Sequence, residues 1–168
     1  MTGAHWHARA WRLLLIVCVL WTAGIVLPPF LHEAGQDNEA FLLRWCYGPV
    51  CHQDVQRSQA LFGFPFSVCH RCAAIYFGFT AMLLFYPAVR RSGFARSMDL
   101  KRLAAALLPM ALDYGLDVLG WWHNDALSRS VTGAVAGAVL ALYIMPPYME
   151  AWFQLFGGIP ATTRIEAT

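Results

Sequence analysis

The chain has 168 residues, 58% of them hydrophobic and only 13% charged, with a formal net charge of +2. Soluble domains carry about a quarter charged residues, so in water a chain with mean hydropathy +0.47 would expose aggregating surface, and a bilayer is the solvent that its composition fits. The small net charge excludes the strongly basic footprint of a nucleic-acid binder.

Four apolar runs follow one another along the chain. The first, 13–30, carries no charge and predicts a helix over about 12–30, with "LPPF" as its stop. No A-x-A cleavage site follows it, so it reads as an uncleaved anchor and not as a signal peptide. A long connection, 31–72, holds most of the cysteine and histidine. The second run predicts a helix over 73–89, and the basic stretch "RRSGFARSMDLKR" comes after it. The third, 103–122, is apolar except for Asp113 and Asp117. The fourth, 131–149, is uncharged and carries Gly133 and Gly137, a small-xxx-small spacing that lets helix backbones approach. Residues 157–168 read as a flexible cytoplasmic tail. Each run approaches the roughly 20 residues that cross hydrocarbon, and Trp11, Trp121, Trp122, Tyr148 and Trp152 gather near run ends as interfacial belts do. The expectation is an all-α integral membrane protein, a single four-helix domain over 1–156.

Orientation follows from the basic residues. Arg90, Arg91, Arg96, Lys101 and Arg102 crowd the short second connection, and Arg9 and Arg12 precede the first helix. The first connection has Arg44, Arg57 and Arg71 against Glu33, Asp37, Glu39 and Asp54. The positive-inside rule puts both termini in the cytoplasm of a multi-pass inner-membrane protein, with the long first loop outside.

That outer loop holds the candidate chemistry. Cys46, Cys51 and His52 are followed at a distance by Cys69, His70, Arg71 and Cys72. Two close cysteine groups with histidine match zinc-site spacing, and thiolate and imidazole are zinc's preferred ligands. A helix amino terminus and Arg71 both favour thiolate at Cys69 and Cys72. The same features suit a thiol–disulfide oxidoreductase, and four helices with an outward thiol pair resemble the general plan of quinone-coupled thiol oxidases of the vitamin K epoxide reductase type. That reading calls for quinone and a periplasmic thiol partner. A third reading is a disulfide staple on a membrane scaffold. Cys18, inside the first helix, reads as a small hydrophobe.

Taken together, "CHQDVQRS", "CHRCAAIYFG" and "SRSVTGAVAG" resemble the signature of the domain of unknown function 2085, a family of bacterial and archaeal membrane proteins. The resemblance covers about residues 45 to 140 and falls on Cys51, His52, Gln53, Arg57, Ser58, Cys69, Arg71, Cys72, Tyr76, Gly78, Arg129, Thr132 and Gly133. Ala73 and Ala74 stand where the family has Thr-Gly, and Cys46 and His70 fall outside the pattern. The resemblance implies a membrane protein and no particular activity. It reduces the recurrent set to three cysteines and His52, and an odd number of thiols suits a Cys3His metal site, Cys51, His52, Cys69 and Cys72, better than paired disulfides.

Asp113 and Asp117 stand four apart and share one helix face. Counted from Arg102, Asp113 lies roughly 16 Å along the helix, near mid-membrane, and Asp117 about 6 Å further out. Intramembrane carboxylates mark function or paired charge. Arg57 and Arg129 are the expected partners, and a polar pocket of Arg57, Arg71, Asp113, Asp117 and Arg129 is expected to support the metal ligands. His123, Asn124 and Asp125 read as a solvated loop.

Overall fold

The computed structural model describes residues 4–92 and 99–156. The tail expected over 157–168 and the centre of the basic second connection, Arg96 included, lie outside the described residues. Among the described residues the order is α1 (Ala4–Glu33), α2 (Asp37–Cys46), β1 (Ser58–Leu61), β2 (Phe64–Cys69), α3 (His70–Arg91), α4 (Leu100–Val118) and α5 (Ala126–Phe156).

Three helices, α1, α3 and α5, are long and apolar enough to cross a membrane, over His7–Glu33, His70–Arg91 and Ala126–Phe156. Their outward faces are those of lipid-solvated helices. Leu13, Ile16, Val17 and Leu20 on α1, Leu84 and Phe85 on α3, and Val131 and Val135 on α5 are all exposed. The fourth expected span, α4, is 19 residues long but carries Lys101, Arg102, Asp113 and Asp117. It is amphipathic, packs mainly on α5, and is not in the same class as the other three.

The expected all-α architecture needs a correction, because the first connection is not an open loop. It folds into α2 and a two-stranded antiparallel hairpin with Ser58 opposite Cys69 and Leu61 opposite Phe64. Phe62 and Gly63 close the hairpin with positive φ of 52° and 75°, the handedness that a tight two-residue turn demands. The inner residues Phe66 and Val68 are buried with Ile25, Tyr47 and Ala73, and Phe64, also buried, packs on His32 and Phe41.

The expectation that "LPPF" ends the first helix also fails. Pro28 and Pro29 lie inside α1. Proline lacks an N–H and frees the carbonyl four residues earlier, which for Pro28 is that of Gly24. The Ser67 hydroxyl, fully buried on β2, donates to that carbonyl at 3.0 Å. Pro87 in α3 likewise frees the Leu83 carbonyl, and the Trp11 indole donates to it at 2.7 Å. Neighbouring elements thus satisfy the groups that proline leaves open, and the helices continue. The true stop of α1 is Gly35 at φ 74°, with Gln36 N–H donating to Leu31 and Gly35 N–H to His32, a Schellman closure.

The same closure ends α4 at Val118, four residues before the expected 122. Gly120 has φ 71°, Trp121 N–H donates to Leu116 at 3.0 Å and Gly120 N–H to Asp117 at 3.1 Å. The chain therefore turns back over the end of α4, which brings Asn124 inside.

Helices α3 and α5 form the closest pair. A Cβ at Gly78 would strike the Ala134 backbone, one at Gly137 the Ile75 backbone, and one at Gly133 the Arg71 carbonyl at 2.7 Å. At one end of the bundle His7 of α1 stacks on Phe153 of α5, and the Tyr148 hydroxyl donates to the Ala10 carbonyl at 3.2 Å. The start of α1, the end of α3 and the end of α5 meet there. The hairpin, the start of α3 and the end of α4 lie at the opposite end.

Gly137→Ala is expected to lower stability by about 1–3 kcal/mol through overpacking. Gly115→Ala, where a Cβ meets nothing, should leave stability unchanged or raise it by up to about 1 kcal/mol. Denaturation of the two variants in detergent checks the contrast.

Candidate metal centre

The loop after α2 is built to present one sulfur. Tyr47 caps α2, is buried, and its hydroxyl donates to the Trp21 carbonyl of α1 at 2.7 Å. Six residues on, Gln53 adopts a left-handed φ of 55°. Its side-chain amide donates to the Arg44 carbonyl and, at 2.6 Å, to the Ser67 carbonyl, while the Arg44 guanidinium donates to the Gln53 carbonyl at 2.8 Å. This lacing fixes residues 51–53 between α2 and the hairpin. It also aims the Gln53 N–H at Cys51 Sγ, 3.4 Å away.

The second and third sulfurs come from the start of α3. Cys69 closes β2 and is the N-cap of the helix, and Cys72 sits one turn in. The Cys69 N–H points at Cys51 Sγ across 3.3 Å. Cys51, Cys69 and Cys72 offer sulfur atoms that all lie within 4.8 Å of one another. No disulfide joins them; all five cysteines are free thiols. The Cys51 thiol is held well below its ordinary pKa, first by hydrogen bonds from the Cys69 and Cys72 thiols and then by the two backbone N–H groups, against the opposing effect of burial. Two N–H donors on one sulfur favour thiolate, the form that binds metal. Tetrahedral zinc with bonds of about 2.3 Å needs sulfurs about 3.8 Å apart, which lies inside the 4.8 Å bound on this cluster.

Beside the sulfurs opens a cleft of about 460 Å³, lined by Cys51, His52, Asp54, Arg57, Arg71 and Arg129 among others. A polar network stands behind it. Arg71 Nη2 meets Asp113 Oδ2 at 2.6 Å, with side chains 15% and 7% exposed, and its guanidinium lies 5.2 Å from the Tyr114 ring centre. Asn124, buried, donates to Asp113 Oδ2 at 3.1 Å and to its carbonyl at 3.2 Å. Asn124 Oδ1 in turn accepts from Arg129 Nε at 2.5 Å. On the flank, Arg57 Nη1 meets Asp117 Oδ2 at 3.2 Å, and Asp117 Oδ1 accepts the Asn124 N–H at 3.4 Å.

The structure thus brings together Cys51, Cys69 and Cys72 and places Arg57, Arg71 and Arg129 on their cleft. Asp113 and Asp117 lie behind it, paired with Arg71 and Arg57. His52 is exposed and lines the cleft, but lies outside the three-sulfur group. Cys46 is exposed at the end of α2, and Cys18 packs beside the apolar core at the other end of the bundle. Asn124 and Gln53 carry more structure than the sequence reading gave them. Asn124 is no solvated loop residue, and Gly120, which turns the chain over α4, was the signal for it.

Asp113→Ala should cost about 3–5 kcal/mol of stability, because it leaves Arg71 buried without its counter-charge. The double change Arg71→Met with Asp113→Leu should cost much less. Asn124→Ala is expected to cost about 1–3 kcal/mol through groups left unsatisfied. Denaturation midpoints of the four proteins give the comparison.

Among known proteins, the family described as predicted membrane protein (DUF2085) matches residues 51–143. The uncharacterized protein MJ1492 of Methanocaldococcus jannaschii is 29% identical over 153 residues, which are 88% of this chain and 98% of that protein. No solved structure matches. The matched span begins at Cys51 and takes in Cys69, Cys72, Asp113, Asn124 and Arg129, and on that match the chain belongs to the predicted membrane protein family DUF2085.

Proposed function

We propose that the protein is a four-span inner-membrane protein with both termini in the cytoplasm, carrying a thiolate metal centre at its outer end. Cys51, Cys69 and Cys72 are the ligands, zinc is the metal their softness and number favour, and the fourth position opens on the cleft. His52, exposed and lining the cleft, is the protein candidate to close it. The observation that carries the reading is the approach of three sulfurs within 4.8 Å, two of them from a helix start and one aimed by backbone N–H groups. An open fourth position is the arrangement of catalytic zinc and not of a closed structural site.

One observation favours a second reading. Cys51 is poised as a thiolate beside Cys69 at a helix N-cap, which also suits thiol–disulfide exchange coupled to quinone. Such an enzyme needs a second thiol pair, and Cys46 stands outside the sulfur group. A disulfide trapped between the Cys72→Ser variant and a periplasmic thiol protein would favour that reading over metal.

Support for the fourth span comes from α4 itself. At about 1.5 Å per residue it has the length of the hydrocarbon core, and its carboxylates are paired with arginines.

Protein purified without chelator is expected to hold one zinc per chain by elemental analysis. Cys51→Ser, Cys69→Ser and Cys72→Ser should each abolish stoichiometric metal, with Cys18→Ser and Cys46→Ser retaining it. Wild-type protein free of metal, with its thiols oxidised in pairs, would remove the reading.

Topology has its own check. Reporter fusions at residue 37 should read as extracytoplasmic and at residue 96 as cytoplasmic. The reverse assignment would overturn the orientation.

A further inference from the structure

The cleft over the sulfurs is lined by more cation than its own carboxylates answer. Arg57, Arg71 and Arg129 reach it against Asp54 alone, while Asp113 and Asp117 are turned away into the network behind. The three arginines are not equivalent. Arg57 is held between Asp54 at 3.5 Å and Asp117 at 3.2 Å. Arg71 is matched by Asp113, yet its Nε is buried with no hydrogen-bond partner. Arg129 is gripped through Nε by the neutral amide of Asn124, and no carboxylate pairs with it among the described residues. Its planar terminal nitrogens are therefore fixed in direction and left with unmatched charge.

Apolar side chains share the cleft. Met110, Ala111 and Tyr114 line it from one face of α4, and Ala111 and Tyr114 are exposed. A ligand filling this space meets guanidinium forks and apolar side chains together, the Arg71 guanidinium lying 5.2 Å from the Tyr114 ring centre. Guanidinium forks match phosphate oxygens in pairs, and the bilayer around this end of the bundle is made of amphiphiles with phosphate heads.

We infer that the cleft binds a phosphate group, held by Arg129 with Arg71, and that the apolar chain of a phosphate-headed amphiphile lies along Met110, Ala111 and Tyr114. The arginines are not metal ligands, so this binding stands whether or not the sulfurs hold zinc.

The test is titration of full-length protein in detergent with short-chain phosphatidic acid, with the phosphate-free diacylglycerol of the same chains, and with inorganic phosphate, read by tryptophan fluorescence and thermal shift. It is run on zinc-loaded and on chelator-stripped protein, so failure of the metal reading leaves this one measurable. Saturable binding of phosphatidic acid, weakened at least tenfold in Arg129→Gln and unchanged in Arg90→Gln at the other end of the bundle, is the expected result. Inorganic phosphate binding as tightly as the lipid would support the phosphate site and assign it to free phosphate. Equal binding of the diacylglycerol, or no binding of either phosphate ligand, would overturn the inference. If Arg129→Gln does not fold, competition between phosphate and phosphatidic acid on the wild-type protein decides instead, and absence of competition overturns it.

Discussion

The Arg71–Asp113 ion pair is the contact on which the hairpin end of this molecule depends. It joins α3 to α4, two helices that otherwise pack through α5, and it lies one residue from Cys72. Neither charge is tolerable alone in a buried setting. Together they answer each other, with Asn124 completing the carboxylate and the Tyr114 ring facing the guanidinium, whose buried Nε keeps no hydrogen-bond partner. The pair thus fixes the start of α3, where two of the three sulfurs sit, and the position of α4, which also lines the cleft. A hydrophobic replacement could hold the helices as firmly, but it could not turn Asn124 toward Arg129 or present a guanidinium to the cleft.

A second constraint acts through the backbone. Where water is scarce, a carbonyl freed by proline must find a donor from within the protein. Pro28 leaves Gly24 to Ser67, and Pro87 leaves Leu83 to Trp11. The first of these docks the hairpin on α1 two residues before Cys69. A pair of prolines in a membrane helix therefore positions a sulfur that lies more than thirty residues away in sequence. The second seats the start of α1 against the end of α3 and closes the opposite end of the bundle.

Much of this was legible in the sequence. Uncharged runs announced the three long apolar helices, because hydrocarbon admits few charges and demands a minimum length. Cysteine spacing with Arg-rich flanks marked the residues that the fold gathers at one end. The hairpin was illegible because "SQALFGFPFSVC" is short, carries a proline and borrows its stability from Ile25 and Tyr47 on distant elements. "LPPF" misled because a helix can run through proline when another group donates to the carbonyl it frees, and the donor, Ser67, is remote in sequence. Asn124 was overlooked for a related reason. Its neighbours His123 and Asp125 are exposed, and only the reversal at Gly120 shows that the residue between them points inward. His52 illustrates the converse, since a histidine next to a ligand in sequence lies outside the sulfur group in space.

The hairpin end of the bundle thus holds a sulfur cluster shielded on one side by apolar packing and open on the other to a cleft lined by cationic and apolar side chains. This division suits a metal that must be held firmly yet stay accessible. X-ray absorption at the zinc edge of the purified protein tests that claim most directly. The account predicts three sulfur neighbours at about 2.3 Å with one nitrogen or oxygen at about 2.0–2.2 Å. A first shell of nitrogen and oxygen alone would contradict it.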